Sequence, residues 1–384
     1  MRNQHTRREW LLRAAAVAAG PGLARAAAAP AGTVAVGKCK TYGAELLPAL
    51  DKIFDQLGGL GRLVKGKTVA IKLNLTGPAT SRVGRAPLGE TYWTNPEVIA
   101  ATVHLMGRAG ARRIRLLESP WSTAGPMEEF LLQAEWKPSA FLGAAPRVEF
   151  VNTNYRGPAK QYARLRVPFG GYIFPAYDVN RAYEECDVYV SLAKLKEHAT
   201  AGVTLSMKNN FGIPPASIYG SEAGIDEPNE SPKGARALLH GGDRQPSRSA
   251  PPEKDPASPR DGGYRVPRIV VDLAAARPID LAIVEGVLSV SGGEGPWLRN
   301  PLIPVSPGVI VAGTNPVGTD AVAMALMGYD PLADRGTPPF ENCDSTLRLA
   351  EEAGIGTRDL KRIDVRGTPI REARFDFAAI RKRG

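Results

Sequence analysis

Hydrophobic and polar residues alternate along the chain with two different periods. Short apolar or alternating runs have the length of β-strands, and the segments between them repeat apolar side chains every three to four residues, as helices do. The predicted strands lie at 33–38, 68–74, 114–118, 148–152, 187–190, 281–285 and 308–312, and the main predicted helices lie at 44–57, 94–109, 268–276, 316–327 and 345–353. Regular alternation of strand and helix is typical of a parallel sheet covered by helices. We therefore predict an α/β fold with a mostly parallel sheet and helices on both faces.

Two segments interrupt this alternation. Residues 164–177 alternate around Gly170 and Gly171, which predicts a β-hairpin. Residues 217–267 are rich in Pro, Gly, Ser and charged residues, so we expect a flexible polar insertion or a lid there. The α/β domain is then expected to span residues 30–370, with a basic surface tail at 371–384.

Residues 1–29 have the order of an export signal. Arg7 and Arg8 precede a short alanine-rich apolar stretch, and residues 26–29 offer small side chains for cleavage. The pattern resembles a twin-arginine signal and predicts passage through the twin-arginine translocase into the periplasm. No stable membrane span is expected, because no segment has the roughly 20 consecutive apolar residues that a spanning helix needs.

Composition narrows the function classes. The chain has a net charge of +10 and 43% hydrophobic residues, which suits a globular protein with a moderately basic surface. The basic residues form no stripe with interleaved aromatic residues, so no nucleic-acid partner is expected. Cys39, Cys186 and Cys343 are far apart, so we expect no iron–sulfur cluster, while a single disulfide stays open.

Residues 192–215 are the densest concentration of potential ligand groups. They follow an apolar strand, and ligand sites in open α/β sheets lie beyond the carboxyl ends of strands. Lys194, Lys196 and His198 alternate, so an extended backbone would direct all three to one side. The ligand-binding candidates here and on strand 68–74 are Lys72, Asn74, Lys194, Thr204, Lys208 and Asn209. Ammonium groups favour carboxylate or phosphate ligands, which predicts a small anionic ligand.

The catalytic candidates are His198, Lys196, Glu118 and Glu285. His198 suits acid–base chemistry or metal binding because its ordinary pKa lies near neutrality, although a structural role fits it equally. Glu118 and Glu285 each end a predicted strand, so with His198 they could hold a divalent metal. His240 lies in the polar insertion and reaches this site only if the insertion folds over it. No Walker loop, GxSxG elbow or well-placed GxGxxG supports a named reaction.

Several of these pieces, in this order, resemble the DUF362 family, a domain of unknown function. They are residues 69–74, 94–97, 187–198, 202–212, 280–286 and 308–320. The resemblance implies an α/β fold and no particular reaction. Some members carry a ferredoxin-like iron–sulfur module, but this chain lacks its cysteines. The sequence therefore predicts an exported enzyme for a small anionic substrate, with a non-catalytic periplasmic binding protein or an assembly scaffold as alternatives.

Overall fold

Eight of the fourteen strands in the described residues form one central sheet in the computed structural model. The structure describes residues 29–381 except 122, 158, 160, 226–231, 233, 299 and 300, so the predicted export signal lies almost wholly outside the described residues. The strands are β1 Thr33–Lys38, β2 Thr68–Lys72, β3 Arg113–Glu118, β4 Val148–Asn152, β5 Ala163–Arg166, β6 Ala176–Val179, β7 Val188–Lys194, β8 Glu197–His198, β9 Gly202–Val203, β10 Leu281–Gly286, β11 Ser289–Ser291, β12 Ile303–Val305, β13 Val309–Gly313 and β14 Asp364–Gly367.

The order of the strands puts the carboxyl ends of five neighbours at one edge. The large sheet runs β14-β1-β13-β10-β7-β2-β3-β4, and the neighbours from β10 to β4 are all parallel. Only β13 pairs antiparallel with its neighbours in this sheet. The predicted mostly parallel α/β fold is confirmed. The predicted hairpin is also present, as the antiparallel pair β5 and β6.

The helices cover both faces of the sheet. They are α1 Leu46–Gln56, α2 Gly61–Val64, α3 Pro96–Arg108, α4 Met127–Gln133, α5 Pro138–Leu142, α6 Ala182–Glu185, α7 Leu205–Asn209, α8 Ala216–Tyr219, α9 Ala237–Gly241, α10 Gly262–Ala276, α11 Pro316–Leu326, α12 Thr346–Glu352, α13 Ile370–Ala373 and α14 Phe377–Arg381. No helix in the described ranges is both long and apolar enough to cross a membrane.

Alternate residues of each central strand supply two hydrophobic cores. On β2, Ala70 belongs to the core covered by α10, α11 and α12, whereas Val69 and Ile71 belong to the core covered by α1, α3 and α4. Burial on both faces explains why the central strands are runs of Val, Ile, Leu and Ala rather than polar–apolar alternations.

One helix boundary and the C-terminal tail differ from the sequence expectation. Helix α10 begins at Gly262, six residues before the predicted start, because the Asp261 side chain caps it by accepting from the Tyr264 N–H. The helix then passes through Pro267. The expected basic tail is anchored by Phe377, which is fully buried. All three cysteines are buried free thiols, so no disulfide forms between them.

Candidate functional site

A cavity of about 280 Å³ lies at the carboxyl edge of the parallel strands. Of the ten predicted site residues, eight line it: Lys72, Asn74, Glu118, Lys196, His198, Thr204, Lys208 and Asn209. The volume lies near the lower limit for small-molecule sites. Segments that are distant in the sequence therefore meet at one place, as expected for strand ends of a parallel sheet.

Lys72 and Glu118 form a buried ion pair at the base of the cavity. Lys72 Nζ lies 2.6 Å from Glu118 Oε1 and donates to the Leu73 carbonyl at 2.6 Å. The other carboxylate oxygen accepts the Leu75 N–H at 2.8 Å. Burial lowers the pKa of Lys72, and the Glu118 carboxylate opposes that shift. Asn209 braces the pair by donating to the Lys72 carbonyl at 3.2 Å.

Lys194 and Glu285 do not line the cavity. The two side chains pair with each other at 2.5 Å and are fully buried. Lys194 Nζ also donates to the Gly89 and Leu288 carbonyls, both at 2.9 Å. The expectation that Lys194 would share one side with Lys196 and His198 is wrong, because β7 ends at Lys194 and the Lys194 side chain is held by Glu285 outside the cavity.

The Lys194–Glu285 pair is hydrogen-bonded to other parts of the protein through Glu285. Glu285 Oε1 accepts the Asn95 N–H at 2.9 Å, and Asn95 is the N-cap of α3. The Tyr42 hydroxyl donates to Glu285 Oε2 at 3.1 Å. The pair therefore ties β7 and β10 to the start of α3, and its polar atoms are occupied by protein partners.

Lys196 contributes a buried amine to the cavity wall. Its Nζ donates to the Tyr92 carbonyl at 2.5 Å and to the Glu294 carbonyl at 3.2 Å, and it has no carboxylate within ion-pair distance among the described residues. Burial lowers the pKa of Lys196 well below its ordinary value. Two N–H donors of a neutral amine would match these two carbonyls.

Lys208 has the amine with the fewest polar contacts among the lysines that line the cavity. Its Nζ lies 4.3 Å from the centre of the Phe211 ring and has no hydrogen-bond or ion-pair partner in the described part of the chain. Burial, assisted by the positive charges of Arg236 and Lys72, lowers the pKa of Lys208 to about 7. The carboxylate of Glu294 acts in the opposite direction.

Helix α7, which carries Lys208 and Asn209, is held by a buried carboxylate. Asp320 accepts from the Ser206 N–H at 2.9 Å, the Ser206 hydroxyl at 2.6 Å and the Met207 N–H at 2.9 Å. Burial raises the pKa of Asp320 to about 7 despite these donors. The helix begins with Leu205 at φ 44°, a left-handed conformation that a branched side chain rarely adopts and that costs on the order of 1–3 kcal/mol.

His198 is a hydrogen-bond donor at the cavity. Its Nδ1 accepts the Thr200 N–H at 3.2 Å, so the neutral imidazole carries its proton on Nε2. Burial and the neighbouring cations Lys208 and Lys196 hold the pKa of His198 well below 6.5. Glu294 Oε2 is 3.9 Å from Nδ1 and accepts the Ala199 N–H at 2.9 Å.

The polar insertion supplies two basic side chains that close the cavity. Arg236 is buried and donates to the carbonyls of Pro214, Ser119 and Gly212 at 2.7–3.0 Å. It has no carboxylate partner among the described residues. The insertion was expected to be flexible or a lid; the structure shows that its residues 234–237 and His240 form a wall of the site.

His240 has the tautomer opposite to that of His198. Its Nδ1 lies 3.0 Å from the Arg236 carbonyl, which can only accept, so Nδ1 carries the proton and Nε2 is a free base. Burial and the charge of Lys208 lower the pKa of His240 to about 4. Its ring packs edge-on against Phe211 at 4.8 Å between centroids. The cavity thus presents one imidazole as a donor and one as an acceptor.

The remaining wall is a hydroxyl and two indoles. The Thr204 hydroxyl is buried and has no hydrogen-bond partner among the described residues, so it is open to a ligand. Trp121 and Trp297 pack at 4.6 Å between ring centroids and also line the cavity. Gly77 and Gly295 leave room for Trp297, since an added Cβ would lie only 2.3 Å and 2.0 Å from its ring. Neither tryptophan was singled out from the sequence, where nothing distinguishes them from core residues.

The predicted metal constellation does not assemble. Glu118 and Glu285 belong to separate ion pairs, and of these two glutamates only Glu118 lines the cavity with His198. Within the described ranges, no group of three or more His, Cys, Asp or Glu side chains is arranged to hold a metal ion.

Comparison with known proteins agrees with the sequence resemblance. The model of the family described as "Domain of unknown function (DUF362)" matches residues 69–325, which is more than half of the chain. The chain belongs to the DUF362 family. This DUF362 protein is 25% identical over 304 residues to a thylakoid-associated protein of Synechocystis sp., and the match covers 78% of this chain and 75% of that relative.

Two solved structures are similar to parts of the chain at low TM-scores. One is the lactate racemase apoprotein of Thermoanaerobacterium thermosaccharolyticum, at 14% identity and a TM-score of 0.33, covering 68% of this chain and 50% of that one. The other is a Thermotoga maritima protein at 14% identity and a TM-score of 0.34, covering 69% of this chain and 53% of that one. The chain spans about half the length of each.

Proposed function

We propose that the cavity binds a small anionic ligand, a carboxylate or a phosphate, and that the protein is an enzyme acting on it. The observation that carries this proposal is the excess of basic over acidic side chains in the wall. Four basic side chains, Lys72, Lys196, Lys208 and Arg236, face two carboxylates, Glu118 and Glu294. Glu118 is already committed to Lys72. A bound anion would supply the missing negative charge.

The depressed lysine pKa values support the same proposal. Burying an uncompensated ammonium group is costly, so Lys208 shifts toward its neutral form in the free protein. An anion near Lys208 would favour the charged form, and binding would then draw a proton onto the lysine. Anion affinity should therefore be highest below pH 7 and fall as the pH rises through the pKa of Lys208.

Isothermal titration calorimetry with sulfate and acetate tests the proposal, because both stay fully ionised between pH 6 and 9. We expect binding at pH 6 that weakens by up to about tenfold per pH unit above 7, with proton uptake visible as a buffer-dependent heat. The variant Lys208→Met should bind sulfate more weakly and lose this pH dependence. The matched control Lys52→Met removes an exposed lysine outside the cavity and should bind like the wild type.

A Lys208→Met variant that binds both anions like the wild type, or a wild type that binds neither at millimolar concentration, would contradict the proposal. The alternative is a non-catalytic binding protein for an anionic metabolite. It is favoured by one observation: the strand-end carboxylates Glu118 and Glu285 are held in ion pairs rather than free as bases. Ligand binding without turnover of any tested 2-oxo, hydroxy or phosphorylated acid would support this alternative.

We also propose export by the twin-arginine route to the periplasm. The support is the sequence order of Arg7-Arg8, apolar stretch and alanine run in residues 1–29. Replacing both arginines with lysine in a cell that carries the translocase should retain the uncleaved chain in the cytoplasm. Equal amounts of processed protein in the periplasm with and without the arginine pair would refute this route.

A further inference from the structure

The four lysine and arginine side chains of the cavity differ in how many hydrogen-bond partners their nitrogen atoms have. Lys72 Nζ has three acceptors within 3.4 Å, and Arg236 donates to three carbonyls. Lys196 donates to two carbonyls and its residue is fully buried. Lys208 alone in this set has an amine with no polar partner among the described residues, and it is partly exposed to the cavity. A reactive amine needs both properties, a free electron pair and access.

We infer that Lys208 is a nucleophile that forms an imine with a small 2-oxo acid. The inference rests on the proposed anion site and names its ligand more closely. The excess positive charge of the wall suits the carboxylate of such a ligand, and the free amine suits its adjacent carbonyl carbon. Phe211 and the two tryptophans offer apolar surface to the remaining carbon chain. A phosphate or a simple carboxylate would use the cations but leave the amine without a reaction partner.

The two imidazoles supply the proton transfers that imine formation requires. Nζ of Lys208 attacks the carbonyl carbon, a C–N bond forms, and the π electrons move to the oxygen, which His198 Nε2–H can stabilise by donating to it. His240 Nε2 is the free base that can take a proton from nitrogen and pass it to oxygen, giving a carbinolamine. Loss of the second nitrogen proton and departure of the hydroxyl as water then leave the C=N bond. Nitrogen loses two protons, oxygen leaves with them as one water, and no oxidant or reductant is needed.

Lys208 and His240 lie around one aromatic ring. Lys208 Nζ lies 4.3 Å above the Phe211 ring, and the His240 ring packs 4.8 Å from the same ring. His198 lines the same cavity, and the charge of Lys208 contributes to the lowered pKa of both imidazoles. The charged and titratable groups that face Lys208 are Lys72, Lys196, His198, Arg236, His240 and Glu294.

The near-neutral pKa of Lys208 makes the reaction selective. In the free protein at pH 7 about half of the Lys208 amines are neutral, whereas an ordinary exposed lysine with a pKa near 10.4 is neutral in roughly one molecule in 2,500. The neutral fraction at Lys208 is therefore roughly a thousand times larger. A trapping reagent applied at pH 7 should then mark this residue before the many surface lysines.

Pyruvate with sodium cyanoborohydride at pH 7 tests the inference on the full chain. Intact mass spectrometry and peptide mapping should find one reduced adduct per chain, on Lys208. Lys208→Arg keeps the positive charge but forms no such imine, so it should still bind acetate by calorimetry and give no adduct. Lys52→Met should label like the wild type. Circular dichroism and the melting temperature establish that each variant is folded.

Three outcomes overturn the inference. Pyruvate that binds by calorimetry without an adduct refutes the imine and leaves the anion site intact. An adduct on Lys196, or spread evenly over surface lysines, refutes the assignment to Lys208. Absence of both binding and adduct removes the anion site together with the imine.

Discussion

The Lys72–Glu118 pair allows a stability prediction that can be worked from its contacts. In Glu118→Gln the shape is kept, but the charge that opposes Lys72 is lost. The NH2 of the glutamine side chain must also take the place of one carboxylate oxygen, and in the wild type both oxygens accept hydrogen bonds. If it replaces Oε2, it meets the Leu75 N–H, donor against donor; if it replaces Oε1, it meets both Lys72 Nζ and the Ser119 N–H.

The cost follows from these losses. Removing one partner of a buried ion pair typically costs about 3–5 kcal/mol, since it leaves an uncompensated buried charge. Leaving one buried N–H without an acceptor typically costs about 1–3 kcal/mol of folding free energy, and this cost is part of that range. We expect Glu118→Gln to lower the free energy of unfolding by about 4 kcal/mol at pH 6, a large share of the 5–15 kcal/mol typical of native domains.

The sign of the pH dependence is fixed by Lys72. Burial lowers its pKa already in the wild type, and loss of the opposing Glu118 charge lowers it further. A lysine with a lowered folded pKa binds fewer protons in the folded than in the unfolded state, so stability rises with pH between the folded and unfolded pKa values. This window extends to lower pH in the variant, so its deficit should shrink between pH 6 and pH 9.

Urea denaturation followed by tryptophan fluorescence at both pH values measures this deficit. Adding Lys72→Met to Glu118→Gln should recover about 2 kcal/mol or more, because the stranded charge is gone. The control Glu185→Gln breaks half-exposed ion pairs and should cost less than about 1 kcal/mol. A deficit for Glu118→Gln no larger than that of the control, or one that grows with pH, would refute the reasoning.

Two further predictions concern the carboxylate that holds α7 and a glycine between β5 and β6. Asp320→Asn cannot satisfy all three donors of α7 and should cost about 2 kcal/mol in urea denaturation, with weaker sulfate binding. Burial raises the pKa of Asp320 to about 7, so its contribution is lost as the pH rises from about 4 to 7 and the variant's deficit should be smaller at pH 8 than at pH 5; an equal or larger deficit at pH 8 would contradict this. Gly171→Ala should cost about 3 kcal/mol or more, because φ is 72° and the new Cβ would lie 1.9 Å from the Phe174 carbonyl oxygen. Gly59→Ala has a similar φ of 83° with nothing within 4 Å and should cost clearly less; equal losses would show that the contact is irrelevant.

The sheet and half of the site could be predicted because they depend on local pattern and on parallel pairing. Lys72 ends β2 and Glu118 ends β3, and the carboxyl ends of adjacent parallel strands must lie at one edge. Periodicity located both strands. Their meeting followed from the fold class, without any knowledge of the side-chain contacts.

The other half depends on contacts between loops, which periodicity does not encode. Arg236 lies in a stretch without apolar pattern, and only its three long-range carbonyl acceptors fix it over the cavity. Lys194 was expected in the site because it belongs to the ligand-rich segment. Its amine instead donates to the Gly89 and Leu288 carbonyls and to the Tyr42 hydroxyl, away from the cavity. Nothing in the sequence indicates that these three residues contact Lys194.

The contrast between the strand-end lysines and Lys208 explains where reactivity can arise in this fold. Lys72 and Lys194 each lie beside a glutamate that ends a neighbouring strand, so the sheet itself neutralises them. Lys196 and Lys208 follow the end of β7, outside the central sheet, on a segment that forms the small β8–β9 pair and α7. Neither lysine receives a carboxylate partner within ion-pair distance among the described residues. Unneutralised amines in a buried setting must lose protons or gain an anion. The proposed site for anions and amine chemistry therefore lies just beyond the point where the strands of the central sheet end.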